Sequence, residues 1–248
     1  MKTLTNHIGL YTDFYELTMA QSYFFTEKAD DVATFDYFYR KNPFGGGYVV
    51  FAGLEELLHL IENFKYSEED IAYLRKQGMK EEFLNYLKDF RFSGTIYSVK
   101  EGEIVFPNEP LLSVEANLIE AQLIETIILN YLNFQSLVAT KARRIRDVIG
   151  DKMFADFGLR RAQTLGGIHA SRAAVIGGAD ATSNTYAGLL YDIPVTGTQA
   201  HSWVQSFDDE LEAFRKYAEI NPENTVLLVD TYDTLKSGIP NAIIVAKE

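Results

Sequence analysis

Four short runs of the 248-residue chain carry side chains whose types and spacing suit phosphoryl and glycosyl chemistry. In ADFGLRRAQ, Arg160 and Arg161 follow Asp156, Phe157 and Gly158. Adjacent guanidinium groups beyond a glycine can fork onto phosphate oxygens at fixed geometry, although a solvated ion pair with a nearby carboxylate is the competing use of such a pair. In GGADATSN, residues 177–184, small polar residues let backbone N–H groups approach an anion while hydroxyls and the Asp180 carboxylate hold sugar hydroxyls; the same residues also make an ordinary helix stop and turn. In TGTQAHSW, residues 196–203, His201 follows a glycine turn just past an apolar run. A neutral imidazole there is a competent nucleophile toward phosphorus and an acid or base near neutral pH. A lone histidine more often serves as a hydrogen-bonded structural residue, so its neighbours have to decide. Asp230 and Asp233 form a carboxylate pair for a metal or a ribose, or cap a turn. His59 reads as a helix-face residue, while His7 and His169 have no comparable company and stay open.

Positioning these groups falls to an alternation of strands and helices. GLYTDFYELTMAQSYFF reads as an aromatic-rich helix begun by Thr12 or Asp13. Residues 33–39 alternate with the two-residue period of a strand, broken by Asn42, Pro43 and Gly45 to Gly47, and a strand, a glycine loop and a helix follow. Residues 66–92 read as a charged helical pair with Ile71, Leu74, Phe83 and Leu87 turned inward. Residues 96–99, 104–106 and 111–114 read as a small antiparallel β unit. Ile124, Ile127, Ile128, Tyr131 and Leu132 place one apolar stripe on a core helix. The remainder reads as a basic helix at 141–148, a strand KMFADFG, a helix after Gly166 and Gly167, a strand IPVTGT, a helix opened by Ser206 with Asp209, and an apolar strand TVLLVDT. Residues 1–134 are thus expected to form an α/β domain with the aromatic helix and the β unit, and residues 135–248 the first β/α units of a barrel or wound sheet, where reacting groups gather at strand ends.

Composition narrows the function. Thirty-five acidic against 23 basic side chains give a net charge of −12, a poor match for a phosphate backbone, and nucleic acid is set aside. The absence of cysteine excludes disulfides, thiol nucleophiles and Cys-ligated zinc, and fits a reducing cytoplasm. No apolar run approaches the ~18 residues of a membrane helix, and the amino end lacks the pattern of a signal peptide, so no membrane partner and a cytoplasmic protein are expected.

Taken together, YTDFYELTMA, FADFGLRRAQ, IGGADATSN, PVTGTQAHSWVQSF and NTVLLVDTYDT closely resemble nicotinate phosphoribosyltransferase, in the same order and across essentially the whole chain. The resemblance implies an α/β fold of the type II phosphoribosyltransferase kind, with a small α/β domain and β-rich unit packed beside an irregular, here incomplete, β/α barrel. It implies transfer of phosphoribosyl from phosphoribosyl pyrophosphate to nicotinate, assisted by ATP as co-substrate and by Mg2+, in a homodimer or with a partner chain that supplies the missing barrel half. On the matching positions, His201 would be transiently phosphorylated and Thr198 would line the nicotinate pocket. Tyr15 would reach the nicotinate site of a neighbouring subunit, and Phe157 would stack on the pyridine ring. Arg160 would hold the phosphate, with Asp180 near the ring or ribose; Arg161 and Arg172 are further candidates for the local positive cluster.

The pattern also departs from the family. The chain ends at Glu248, where the resemblance leads to further strands, glycine-rich phosphate loops and a downstream arginine, and Leu165 stands where small residues are commoner. Half a barrel leaves strand edges unpaired unless another chain covers them. A non-catalytic fragment that binds ligand or an intact subunit is the alternative, and a quinolinate phosphoribosyltransferase a second one, which the GTQAHSW run opposes.

Overall fold

A computed structural model describes residues 6–248. It divides into two compact units, one running to Ile193 and the other from Pro194 to Glu248. The expected boundary at 134/135 falls inside a single 25-residue helix, so one rigid element carries the chain past it.

In the first unit, α1 (Phe14–Phe25) opens at Asp13 and buries Glu16, Leu17 and Ala20. The charged stretch folds as α3 (Glu68–Lys76) and α4 (Glu81–Lys88), preceded by α2 (Leu54–Glu62). A reciprocal cap opens α3: Ser67 Oγ accepts from Asp70 N at 3.2 Å, and Asp70 Oδ2 accepts from Ser67 N at 2.8 Å. Ile71, Leu74, Phe83 and Leu87 are buried, as their spacing predicts. Strands β1 (Val32–Tyr37), β3 (Thr95–Ser98) and β5 (Leu112–Asn117) form one antiparallel sheet in the order β1-β5-β3. Val114 pairs with Phe35 on one side and Ile96 on the other. Central β5 alternates cleanly, with Leu112, Val114 and Ala116 buried.

The expected three-stranded β unit is divided. β4 (Ile104–Val105) leaves its sequence neighbours and pairs with β2 (Val49–Val50). Gly102 N donates to Phe51 O at 2.8 Å and Phe51 N to Glu103 O at 3.0 Å, which draws the turn at Gly102, φ +84°, toward β2. α5 (Leu118–Leu123) leads into α6 (Glu125–Ile149), whose Ile127, Ile128, Tyr131 and Leu132 are buried in the main core. The basic segment 141–148 is the last part of α6 rather than a separate helix.

β6 (Ala155–Asp156), α7 (Leu165–Ile176) and β7 (Ala181–Thr182) make a parallel βαβ unit, with Asp156 opposite Thr182. α7 lies close on α6 because small residues meet there: a Cβ at Gly177 would overlap the carbonyl oxygen of Ala139. α8 (Thr185–Tyr191) follows, capped by Asn184, whose side chain accepts from Ala187 N at 3.2 Å.

The second unit packs α9 (His201–Val204), α10 (Glu210–Ile220) and α11 (Ile239–Lys247) around Val204, Ala213 and Phe214, with Leu227 and Val229 against them. Three expectations are corrected here. Asp209, not Ser206, caps α10, accepting from Glu212 N at 3.1 Å, while Ser206 Oγ donates to Trp203 O at the end of α9. IPVTGT is reduced to a single bridge residue, Val195, and TVLLVDT forms no strand among the described residues. A strand that is apolar on both faces needs a ladder neighbour on each edge, and this unit offers none among its described residues, so Leu227 and Val229 turn to the helices instead. No helix is long and apolar enough to cross a membrane, among the described residues.

Candidate functional site

The loop after β6 is built around Asp156. Its Oδ1 accepts from Gly158 N at 2.8 Å, and its Oδ2 accepts from Ser171 Oγ at 2.8 Å and Thr182 Oγ1 at 2.9 Å. Ser171 and Thr182 are fully buried and Asn184 nearly so. The Asn184 amide adds donated bonds to Ser171 Oγ at 3.2 Å and Gly167 O at 3.3 Å. One carboxylate therefore ties the end of β6 to α7 and β7, and a satisfied polar network of this kind fixes a single loop geometry. Beyond the loop, Thr164 holds φ +45°, ψ −112°, a conformation that costs on the order of 1–3 kcal/mol and persists only when its surroundings impose it.

That loop presents Phe157, 53% exposed, and the short helical turn Leu159–Arg161. Among the described residues neither Arg160 nor Arg161 has a carboxylate or hydrogen-bond partner for its guanidinium. The ion-pair use weighed from sequence is thus not made. A cleft of about 520 Å³ beside Phe157 is walled by Phe44, Phe134, Leu137 and Ile145, with Lys141 at its side. The Lys141 ammonium lies 5.1 Å from the centre of the Phe44 ring.

Arg172 does not join this positive group. It is engaged by Glu55, by Glu56 at 3.1 Å and by Glu101 at 2.8 Å. Burial pushes the Glu101 carboxyl up, but Arg172 and the N–H groups of Gly53 and Leu54 outweigh it and hold the group below the usual carboxylate range. Glu101 so ties the start of α2 to α7, which is a structural task.

Asp180 stands just before β7, level with Phe154, whereas Phe157 follows β6 at the other end of the strand pair. Its carboxylate accepts from Phe154 N at 2.7 Å and Arg146 at 2.5 Å, and these two partners, the backbone N–H first, hold its pKa low. The geometry gives Asp180 a role in anchoring β7 to α6 and does not bring it to Phe157 or Arg160. The helix-stop use of Gly177 and Gly178 is likewise realised, and the buried Thr182 and Asn184 support the loop from within.

Tyr15, on α1, donates its hydroxyl to Glu125 Oε1 at 2.9 Å. Burial and Glu125 push it up to about 12. Glu125 begins α6, and Phe134 of the Phe157 cleft lies nine residues on, roughly 14 Å along the axis. Tyr15 and Phe157 of one chain are therefore not brought together.

In the second unit, Thr198 and His201 share one turn. Thr198 Oγ1 donates to Gln199 O at 2.8 Å, and His201 opens α9 with its ring exposed. Its Nδ1 lies 3.3 Å from Thr231 Oγ1, and its Nε2 has no hydrogen-bond partner among the described residues. Asp233 Oδ1 accepts from Leu235 N and Lys236 N, so the turn-capping use of Asp233 is realised. No three His, Asp or Glu side chains converge on a metal position among the described residues.

From sequence, Asp156 carried no task of its own, Thr182 and Asn184 belonged to a run read as anion- and sugar-binding or as a helix stop, and Ser171 was not singled out. The available signal was a serine among the alanines of α7 and a threonine in a two-residue strand, polar side chains at positions that elsewhere are apolar.

Residues 10–133 match the nicotinate phosphoribosyltransferase (NAPRTase) N-terminal domain. The chain is 51% identical over 243 residues to a nicotinate phosphoribosyltransferase of Bacillus subtilis, covering 97% of this chain and 49% of that protein. It is 42% identical over 290 residues to one of Caenorhabditis elegans, covering 96% of this chain and 52% of that protein. The crystal structure of human nicotinic acid phosphoribosyltransferase superposes with a TM-score of 0.86 at 33% identity, over 95% of this chain and 58% of that one. A nicotinate-nucleotide pyrophosphorylase from Pyrococcus furiosus shares the fold with a TM-score of 0.80 at 22% identity, over 100% of this chain and 56% of that one. The chain spans about half the length of the curated relatives it matches. By this match the chain belongs to the nicotinate phosphoribosyltransferase family.

Proposed function

We propose that the chain is the amino-terminal portion of an enzyme of NAD salvage that joins nicotinate to phosphoribosyl pyrophosphate, giving nicotinate mononucleotide and pyrophosphate, with ATP as co-substrate. The observation that carries this reading is the pair of unpartnered guanidinium groups, Arg160 and Arg161, on a loop that Asp156 holds in place beside the exposed Phe157 ring. An aromatic face suits a pyridine ring, and a free guanidinium suits a phosphate dianion in bidentate contact. In the reaction the pyridine nitrogen bonds to the anomeric carbon as the bond to pyrophosphate breaks, and positive charge builds on the sugar. The chain's part is to orient both reactants and hold the anionic ends.

His201 would supply the ATP coupling. With Nδ1 near Thr231, its Nε2 would attack the terminal phosphorus of ATP, ADP would leave, and water would later take the phosphoryl group from the ring. Thr198, in the same turn, would line the nicotinate pocket. Tyr15 would act on the site of a second subunit, in a homodimer or with a partner chain, which its separation from Phe157 along α6 supports. No three His, Asp or Glu side chains converge on a metal position among the described residues, so Mg2+ would enter on the phosphate oxygens of the substrate. A cytoplasmic setting accords with the cysteine-free composition.

The test is a radiolabelled nicotinate assay with phosphoribosyl pyrophosphate and ATP, run on this chain alone and with a polypeptide covering the rest of the relatives' length. Nicotinate mononucleotide should form in at least one sample. The His201→Ala variant should lose ATP stimulation and the acid-labile label from γ-labelled ATP while its circular dichroism is kept. No product in either sample would leave a ligand-binding fragment as the better reading.

A further inference from the structure

A second cavity in the first unit, about 260 Å³, lies between the segment before α1, the middle of α6 and the start of α7. Tyr11, Tyr131, Phe134, Gln135, Leu165 and His169 line it, and no charged side chain does. Its volume falls just under the roughly 300–1,000 Å³ of small-molecule sites, enough for one flat ring system. Gln135 is fully buried, yet neither Nε2 nor Oε1 of its amide has a hydrogen-bond partner among the described residues. Buried amides are ordinarily paired, so an orphan at a cavity wall points to something that completes it. Gly53, φ +102°, leaves room for that amide, since a Cβ there would lie 3.0 Å from Nε2.

The other walls have matching chemistry. His169 stacks at a tilt on Tyr131, ring centres 5.2 Å apart, and neither of its ring nitrogens has a hydrogen-bond partner among the described residues. Burial, opposed by Glu56, lowers its pKa, so the ring is neutral and offers one donor and one acceptor. The Tyr131 hydroxyl is held protonated by burial, pushed up to about 12. Tyr11 is committed to Asn130 Oδ1 at 2.8 Å.

We propose that this cavity is a binding site for a small, neutral heteroaromatic molecule that presents a hydrogen-bond donor beside an acceptor, the edge shared by a pyridine carboxamide and a purine base. Aromatic walls cover its faces, and the Gln135 amide pairs with its edge. A carboxylate-bearing ring is disfavoured, because nothing in the lining neutralises it. Phe134 walls both this cavity and the Phe157 cleft, but Phe157, Arg160 and Arg161 are not among the residues that line it, so the proposal does not depend on the reading given to that loop.

Ligand-observed NMR and isothermal titration of the 248-residue chain with nicotinamide, with adenine, and with nicotinate as the anionic control test it. At least one neutral ring should bind saturably, and the two arms tell a carboxamide from a base. Gln135→Leu, similar in volume but without donor or acceptor, should weaken that binding at least about tenfold, as should Leu165→Trp, which narrows the mouth from a half-exposed position and keeps the core intact. Absence of binding by both neutral rings overturns the proposal. So does unchanged affinity in Leu165→Trp, or displacement of the neutral ring by nicotinate.

Discussion

Replacing Asp156 by Asn keeps the shape of the side chain and removes half of its accepting capacity. Three donors converge on the carboxylate, Gly158 N at 2.8 Å, Ser171 Oγ at 2.8 Å and Thr182 Oγ1 at 2.9 Å. With the amide nitrogen at the Oδ2 position, the two hydroxyls lose a charged acceptor; flipping the amide instead sets two donors face to face at Gly158. A hydrogen bond to a charged group contributes about 1.5–3 kcal/mol. Ser171 can fall back on Gly167 O at 3.0 Å and Thr182 on the Asp156 carbonyl at 3.3 Å, so the lower figure applies to each. The sum is about 3 kcal/mol, or roughly a hundredfold rise in local opening of the loop. Amide hydrogen exchange reads this directly at Gly158, and at Ser183, whose N–H donates to Asp156 O at 2.9 Å. Exchange at both amides within about threefold of the parent would refute the claim that this carboxylate organises the loop.

Three further outcomes follow from the packing. Arg172→Met should lower stability by about 3 kcal/mol or more in urea denaturation, because Glu56 and Glu101 are left largely buried without their cation; an unchanged midpoint would remove Arg172 from that role. Glu101 titrates below its ordinary value in the folded chain, so its contribution is present above about pH 4.5 and is lost as pH falls through the depressed value. The Glu101→Gln variant should accordingly be less stable than the parent at pH 7 and converge with it in acid, and parallel stability curves would contradict the assignment. Gly177→Ala should cost about 1–3 kcal/mol, read in the same denaturation experiment, since the new methyl must push α7 away from the Ala139 carbonyl and Ala142.

Elements governed by local periodicity were legible in the sequence. The α6 stripe from Ile124 to Leu132, the α3–α4 pair and the alternation around β1 all follow from which residues must be hidden. What was not legible depends on partners distant in sequence. The apolar run at 226–229 looks like a buried strand, but strand formation is decided by neighbours on its edges, and Leu227 and Val229 meet helices instead. Ser206 and Asp209 both fit a cap by spacing, and only the backbone path selects Asp209. Arg172 and Asp180 looked available for ligand because their partners, Glu101 and Arg146, lie 71 and 34 residues away. Gln135 and His169 carried no motif at all, and their interest arises where α6 and α7 fold against the segment before α1.

The reading of this chain rests on the Arg160 loop as a phosphate-holding element, and isothermal titration with nicotinate mononucleotide tests it most directly. The parent chain should bind the mononucleotide, and Arg160→Met should weaken binding by about 10–100-fold, the value of one charge-assisted bidentate contact, with the fold unchanged by circular dichroism. Equal affinity in the parent and in Arg160→Met, or no binding by the parent, would contradict it.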